Sequence, residues 1–422
     1  MNILLINHYA GSPRHGMEFR PYYFAREWTR DGHSVKVAAS SASHVRSRRP
    51  PDNGPVTRED IDGIEYLWLR TRPYQGNGAA RLVNMAQFAA RLYGLSAHLR
   101  GWRPDAVVAS STYPYDVWPA ARLARRHGAG LFYEVHDLWP LTPMLLGGFS
   151  RRHPMIASMQ WAEDYAYRHA DAVISMLPCA YAHMERHGLS RDRYVHIPNG
   201  VDPGPAPAAA DHPDTVRARA ALASLRERCD FVIAYAGAHG HANALDTLLD
   251  AMGLLRDRPI GLLLIGSGPE REALRAQAAR LELARVAFVD PVERGCIPAI
   301  LEQADAAYIG LRDSPLFAYG VSPNKLFDYM QASRPVVYAI NSGNDIVGEA
   351  GCGISIKSQD PAALARGIEA MRATPADERA AMGERGAQYV RTHHAYPVLA
   401  RLFLEVIESA APPRGRAGAR HG

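Results

Sequence analysis

Lys325 and Asp328 stand close together in Tyr319-Gly-Val-Ser-Pro-Asn-Lys-Leu-Phe-Asp-Tyr-Met-Gln-Ala-Ser-Arg-Pro-Val-Val337. Ser322 is a natural N-cap and Pro323 fits the first position of a helix over 323–332. Leu326, Phe327 and Met330 would share its apolar face. The first N–H groups of such a helix form a ready anion site. Lys325 puts a cation where the helix dipole normally repels one, which makes sense if an anion lies between them. Asp328 follows the cap by six residues, roughly 9 Å along the axis at about 1.5 Å per residue. That is near the span from a diphosphate to the hydroxyls of its ribose. The segment reads as one half of a clamp for a sugar nucleotide. From these residues alone, an ordinary capped helix with a surface Lys and Asp reads equally well.

Three glycine turns follow expected strands. Asn7-His-Tyr-Ala-Gly-Ser-Pro-Arg-His-Gly16 lacks the GxGxxG spacing of a dinucleotide fold, which argues against an NAD dehydrogenase. A flexible loop closing over a diphosphate fits better, with Gly16 in it. Gly237-Ala-His-Gly-His-Ala-Asn-Ala-Leu-Asp246 can turn backbone N–H groups toward phosphate, with His239 and His241 as side-chain donors. Their spacing, without a further ligand, does not make a metal site. Gly266-Ser-Gly-Pro-Glu270 is the third turn. In Tyr133-Glu-Val-His-Asp-Leu-Trp-Pro140, His136 leaves a strand tip and can bond a sugar hydroxyl or stabilise developing charge. Asp60-Ile-Asp62 spells DxD but sits in a hairpin turn and reads as structural. The basic, aromatic loop 70–78 leads into a helix over 80–100. It could receive an anionic acceptor or rest on a membrane, and a solvated loop fits it as well.

The elements that must hold these groups alternate in βα order. Strands are expected at 3–7, 34–39, 64–69, 106–110, 130–134, 172–175 and 194–197, and again at 231–236, 261–265, 287–289, 306–309 and 335–338. Helices are expected at 17–31, 80–100, 116–127, 154–168 and 180–186, then at 244–255, 269–281, 297–302, 323–332 and 397–409. The fold class is α/β, with two Rossmann-like doubly wound domains. The expected organisation is an N-terminal domain at 1–200, a linker at 201–215 and a C-terminal domain at 216–392. A helix within 393–410 returns to the first domain, and a disordered basic tail fills 411–422. Ligands of such sheets bind beyond the C-terminal strand ends, so a cleft shared by the two domains is expected.

The chain has 422 residues, 47% hydrophobic and 22% charged, with a formal net charge of +5. It is globular rather than disordered. The mild positive charge suits phosphorylated ligands or an anionic surface and does not imply nucleic acid. Lys36, Lys325 and Lys357 are the only lysines. Cys179, Cys229, Cys296 and Cys352 form no CxxC pair and read as reduced thiols of a cytosolic protein. No signal-like start and no long apolar run point to export or a membrane span.

Taken in order, these motifs resemble the retaining glycosyltransferases of family 4, with the GT-B fold. Glu134-Val-His-Asp-Leu-Trp-Pro140 and Val321-Ser-Pro-Asn-Lys325 are most similar to the WbuB-like subgroup, which builds bacterial surface polysaccharides. The resemblance implies transfer of a sugar, typically an N-acetylated aminosugar, from a UDP-linked donor to a glycan or polyprenyl-linked acceptor. It implies no required cofactor or metal, and a cytoplasmic protein able to rest on the inner face of the membrane. His136 and Lys325 are the catalytic candidates. Gly16, Gly237, His239, His241, Asn243, Ser322, Pro323, Asn324 and Asp328 are those for the donor. Met17, Arg20, Tyr74 and Tyr113 are those for the acceptor. Three positions depart from the family. The first of its two glutamates falls on Gly320, and its Arg and Lys in the glycine turn fall on Ala238 and Asn243. A sugar-nucleotide epimerase of the same fold, or a non-catalytic sugar-nucleotide-binding protein, are the alternatives.

Overall fold

The computed structural model of the chain describes residues 1–410 apart from 75, 77 and 205–210. The expected tail at 411–422 and the middle of the expected linker lie outside the described residues. Two compact units emerge. One is formed by Met1–Asn199 with the C-terminal helix, the other by Gly200–Ala395.

The first unit holds β1 (Asn2–Ile6), β2 (Ser34–Ser40), β3 (Val56–Ile61), β4 (Ile64–Leu69), β5 (Ala106–Ala109), β6 (Gly130–Val135), β7 (Ala172–Ser175) and β8 (Tyr194–His196). Their spatial order is β3-β4-β2-β1-β5-β6-β7-β8. All pairings are parallel except the β3–β4 hairpin. The central strands are buried on both faces, which is why they read as unbroken apolar runs. Helix Tyr396–Ala410 packs Leu399, Phe403 and Ile407 into the core beside Phe24 and Trp28. Trp28 Nε1 donates to the Ala400 carbonyl at 3.0 Å.

The second unit holds β9 (Phe231–Ala236), β10 (Ile260–Ile265), β11 (Val286–Val289), β12 (Ala306–Gly310), β13 (Val336–Ala339) and β14 (Gly353–Ser355), in the order β11-β10-β9-β12-β13-β14. Each sheet reverses its winding at one place, between β1 and β5 in the first and between β9 and β12 in the second. The crevice beyond the strand ends at such a switch point is where open α/β sheets bind ligands.

Some boundaries differ from the sequence reading. The first helix is Arg20–Arg30, not 17–31. Residues ahead of it are tied down, with Gly11 N–H donating to the Glu18 carbonyl at 2.8 Å and Glu18 N–H to the Tyr9 carbonyl at 3.0 Å. The linker does not run to 215, because helix Pro213–Arg226 begins inside it, with the His212 ring accepting from Asp214 N–H at 3.2 Å. Helices Leu141–Gly147, Ile346–Ala350, Pro361–Ala373 and Ala376–His393 were not anticipated. No described helix is long and apolar enough to cross a membrane.

Candidate functional site

In the second unit the turn after β9 and the turn after β10 lie flat on each other. Gly237 N–H donates to the Ile265 carbonyl at 3.0 Å, and His239 N–H to the Ser267 carbonyl at 2.8 Å. A Cβ at Gly266 would sit 1.9 Å from the Gly237 carbonyl oxygen, so only glycine permits the contact. At Gly237 a Cβ would meet Lys325 Cδ at 2.7 Å. The bare turn is therefore what lets the Lys325 side chain lie across it.

Helix Asn324–Gln331 carries Lys325 and Asp328. Its N-cap is Pro323, extended at φ −78° and ψ 122°, with no side-chain cap bond, which corrects the reading of Ser322 as the cap. Leu326, Phe327, Tyr329 and Met330 are buried. Tyr329 fastens the helix to the end of β9, its hydroxyl donating to the Ala236 carbonyl at 3.0 Å and accepting from Ala236 N–H at 2.9 Å. No acidic side chain lies in the first turn, so the positive helix end is uncompensated.

Lys325 Nζ donates to Tyr235 Oη at 2.9 Å and to Asn243 Oδ1 at 2.6 Å, and lies 4.8 Å from the Tyr235 ring centre. An ammonium has three donors, and two are spent here. No carboxylate among the described residues pairs with it. Burial lowers its pKa from 10.5 to about 8. A half-buried cation with neutral partners, beside an uncompensated helix end, suits an anionic ligand. Asn243 stands where the family places a cation, and its amide also donates to the Ala238 carbonyl at 3.0 Å, so it positions Lys325.

Asp328 Oδ1 accepts from Arg294 Nη2 at 2.8 Å, a partner absent from the sequence reading. Burial raises the carboxyl's pKa, against the pull of Arg294. Ser322, Pro323 and Asn324 are partly exposed around the helix start. His239 is corrected as a phosphate donor. Its side chain is sealed, and burial, then Arg271, lowers its pKa to about 4, so the ring is neutral. Its main chain instead joins the two turns, accepting from Glu270 N–H at 3.0 Å. His241 is exposed, and its carbonyl accepts from Arg312 Nε at 3.0 Å. Gly320, at the place of the family's first glutamate, has φ +93°, a backbone value that a glutamate rarely adopts. A separate cavity of about 830 Å³ is lined by Asp313, Tyr338, Asn341, Asp345 and Lys357 among others, and includes none of these groups.

In the first unit, His136 leaves the end of β6 and points Nε2 into a buried network. Nε2 lies 3.1 Å from Glu134 Oε2 and 3.0 Å from Ser110 Oγ. Ser110 Oγ donates its proton to Glu134 Oε2 at 2.5 Å, so Nε2 must be the protonated nitrogen. In that tautomer Nδ1 is the acceptor. Glu134 Oε1 pairs with Arg20, 2.9 Å from Nη2. Burial pushes the Glu134 carboxyl up, but Arg20, His136 and Ser110 outweigh it and hold its pKa at about 2. Asn7 Nδ2 donates to the Ser110 carbonyl at 2.5 Å, closing the network onto β1.

Several first-unit candidates land elsewhere. Arg20 is buried and its other donors go to the carbonyls of Ile197 and Pro198, at 2.9 and 2.5 Å, so it is a support for Glu134 rather than an acceptor contact. Tyr113 is fully buried with its hydroxyl against His8 Nδ1, which removes it from the acceptor side. Tyr74 Oη bonds His44 Nδ1 at 2.6 Å, and Met17 is exposed. The Gly11–Gly16 loop is tied by its own backbone bonds. Ser12 and Gly16 exchange both backbone bonds, at 2.9 and 3.0 Å, and Gly16 bridges Arg46. Asp62 accepts from Tyr22 Oη at 2.6 Å in the β3–β4 turn, as the structural reading of DxD expects. Two groupings of possible metal ligands occur among the described residues, Glu163 with His183 and His187, and His212 with Asp214 and Cys296. Neither includes any residue of the two sites.

Two doubly wound α/β units, each with its polar groups gathered at the C-terminal strand ends, define the GT-B architecture of nucleotide-sugar transferases. Residues 15–200 match the glycosyl transferase 4-like domain, and residues 230–373 match the glycosyl transferases group 1 domain. The chain belongs to the glycosyltransferases of GT-B type. The putative colanic acid biosynthesis glycosyl transferase WcaI of Escherichia coli K12 is 21% identical over 311 residues, covering 71% of this chain and 74% of that protein. Sucrose-phosphate synthase from Thermosynechococcus elongatus superposes with a TM-score of 0.71 at 18% identity, over 97% of this chain and 98% of its own. HepE of Anabaena, in complex with UDP and glucose, superposes at 0.66 and 17%, over 97% of this chain and all (100%) of its own.

Proposed function

We propose that this enzyme is a retaining glycosyltransferase that moves an N-acetylated aminosugar from a UDP-linked donor to a glycan or polyprenyl-linked acceptor in surface-polysaccharide assembly. The carrying observation is Lys325, a half-buried ammonium with no carboxylate partner among the described residues, at an uncompensated helix start. UDP as the donor base draws support from the HepE complex, and polysaccharide assembly from the name of WcaI. The aminosugar rests on the likeness of Glu134–Pro140 to the WbuB-like subgroup.

In this reading the open Asp328 oxygen accepts the ribose hydroxyls while Arg294 holds the carboxylate in place. Lys325, Ser322 and Asn324 take the diphosphate, Pro323 sets the backbone that presents them, and Gly237 leaves room. His136 Nδ1 accepts from a sugar hydroxyl, and the Glu134 carboxylate stabilises the ring if it takes up a proton. The bond from the anomeric carbon to the diphosphate breaks, with its electron pair leaving on phosphate. Lys325 and the helix end stabilise that charge. The acceptor oxygen bonds the anomeric carbon from the same face, and a donor phosphate oxygen takes the acceptor's proton. Both Glu134 oxygens are already bonded to Arg20, Ser110 and His136, which disfavours it as a covalent nucleophile. No step calls for a metal. The enzyme works in the cytoplasm, at the inner face of the membrane.

The test is a thermal-shift screen of UDP-, GDP- and dTDP-sugars, followed by nucleotide release from the hits. UDP-N-acetyl-aminosugars should give the largest stabilisation and release UDP in the presence of acceptor. No stabilisation by any sugar nucleotide would overturn the reading.

A further inference from the structure

Leu141–Gly147 is the one α-helix among the described residues with no buried side chain, although its sequence, Leu-Thr-Pro-Met-Leu-Leu-Gly, is mostly apolar. Leu146 is 68% exposed and Leu145 45%. Phe149, also exposed, sets its ring edge-on against His153 at 5.2 Å. His153 caps the next helix, Pro154–His169. One and two turns further along the same face come Ala157 and Trp161. Trp161 is 67% exposed and packs on Trp118 at 5.2 Å. Arg125, on the helix of Trp118, donates to Tyr165 Oη at 3.1 Å, one turn past Trp161.

The charge of this face is one-sided. Arg151 and Arg152 are exposed between the two helices, and no Asp or Glu occurs anywhere from Leu138 to Ala162. Large apolar side chains held in water, beside arginines and without a carboxylate, match an anionic phospholipid surface. The apolar groups would enter the acyl boundary, Trp161 would sit at headgroup level and the guanidinium groups would meet phosphates. We propose that Leu145, Leu146, Phe149, Trp161, Arg151 and Arg152 form the face by which the enzyme rests on an anionic membrane.

The face is wired to the first-unit site. Asp137, next to His136, accepts from Leu138 N–H at 2.9 Å and from Thr142 Oγ1 at 2.7 Å, fixing the start of the apolar helix. An acceptor anchored in the same membrane would thus be presented on the side of His136. This deepens the proposed function and rests on its membrane-borne acceptor.

Sedimentation of the full chain with phosphatidylglycerol–phosphatidylethanolamine vesicles tests it, with phosphatidylcholine vesicles as the comparison. The chain should bind the anionic vesicles, less as salt rises, and leave the neutral ones. Leu146→Ser with Phe149→Ser should weaken binding roughly tenfold or more. Arg151→Gln and Arg152→Gln should each weaken it roughly fivefold. All these variants should melt like the unaltered chain and release nucleotide from dissolved donor at its rate, so a failure of vesicle binding is separable from a failure of sugar transfer. No binding to anionic vesicles at low salt would overturn the proposal. So would binding that none of the substitutions alters, or self-association abolished by Leu146→Ser, which would make the face an interface between copies.

Discussion

Lys325 joins two facts that oppose each other. Burial makes its charge costly, and its partners Tyr235 and Asn243 are neutral. With its pKa lowered to about 8, the free protein begins to lose this proton just above neutral pH. A bound diphosphate favours the charged form and raises the pKa again, so binding takes up a proton wherever the free amine has lost its own. Donor affinity should therefore weaken as pH rises from about 7 to 9.5, by roughly tenfold per pH unit once well above the free pKa. Calorimetric titration of UDP across that range checks this, and Lys325→Ala should flatten the profile. Glu134 carries the opposite sign. Its pKa is depressed to about 2 because Arg20, His136 and Ser110 outweigh burial. Its contribution to stability is thus complete above the ordinary carboxylate range near 4.5 and is lost as pH falls toward 2. Glu134→Gln strands a buried Arg20 and should lower stability by about 3 kcal/mol in urea unfolding. It should also lower turnover, because His136 loses the group that fixes its tautomer.

Among the elements, the two glycine turns make different predictions from similar substitutions. Gly266→Ala drives a methyl into the backbone of the facing turn, 1.9 Å from a carbonyl oxygen, and neither partner can yield cheaply. It should destabilise the fold by about 3 kcal/mol, read as a lower melting temperature. Gly237→Ala meets the flexible Lys325 stem at 2.7 Å and the Tyr235 hydroxyl at 3.1 Å rather than backbone. It should lower the melting temperature less than Gly266→Ala does and cost donor affinity, because it displaces Lys325 from Tyr235. The same elements show what the sequence could reveal. β9, β10, β12 and helix Asn324–Gln331 were legible because apolar runs and a Pro-led helix start are local signals. The position of the cap was not, because Pro323 is extended and the helix begins one residue later. Helix Pro213–Arg226 went unseen inside an Ala- and Pro-rich stretch, though Pro213 with Asp214 in the first turn is a start signal. Arg20, read as reaching an acceptor, is instead buried beneath Glu134. Tyr329, Arg294 and the Glu134 network depend on contacts between residues far apart in the chain, which no local pattern carries.

For the whole molecule, the proposed reaction assigns His136 and Lys325 to one transition state. Their effects on turnover should then be less than additive in the double variant His136→Ala with Lys325→Ala, since both act on the same transition state. Donor binding should also stabilise the folded chain as mass action requires, by about 2.7 kcal/mol at a ligand concentration about 100 times Kd. The measurement that bears most directly on the central claim is the rate of nucleotide release by Lys325→Ala at saturating UDP-sugar and acceptor. If Lys325 stabilises the departing diphosphate, that rate should fall by about 10²–10³-fold while the melting temperature holds. A near-normal rate at saturating donor would contradict the account.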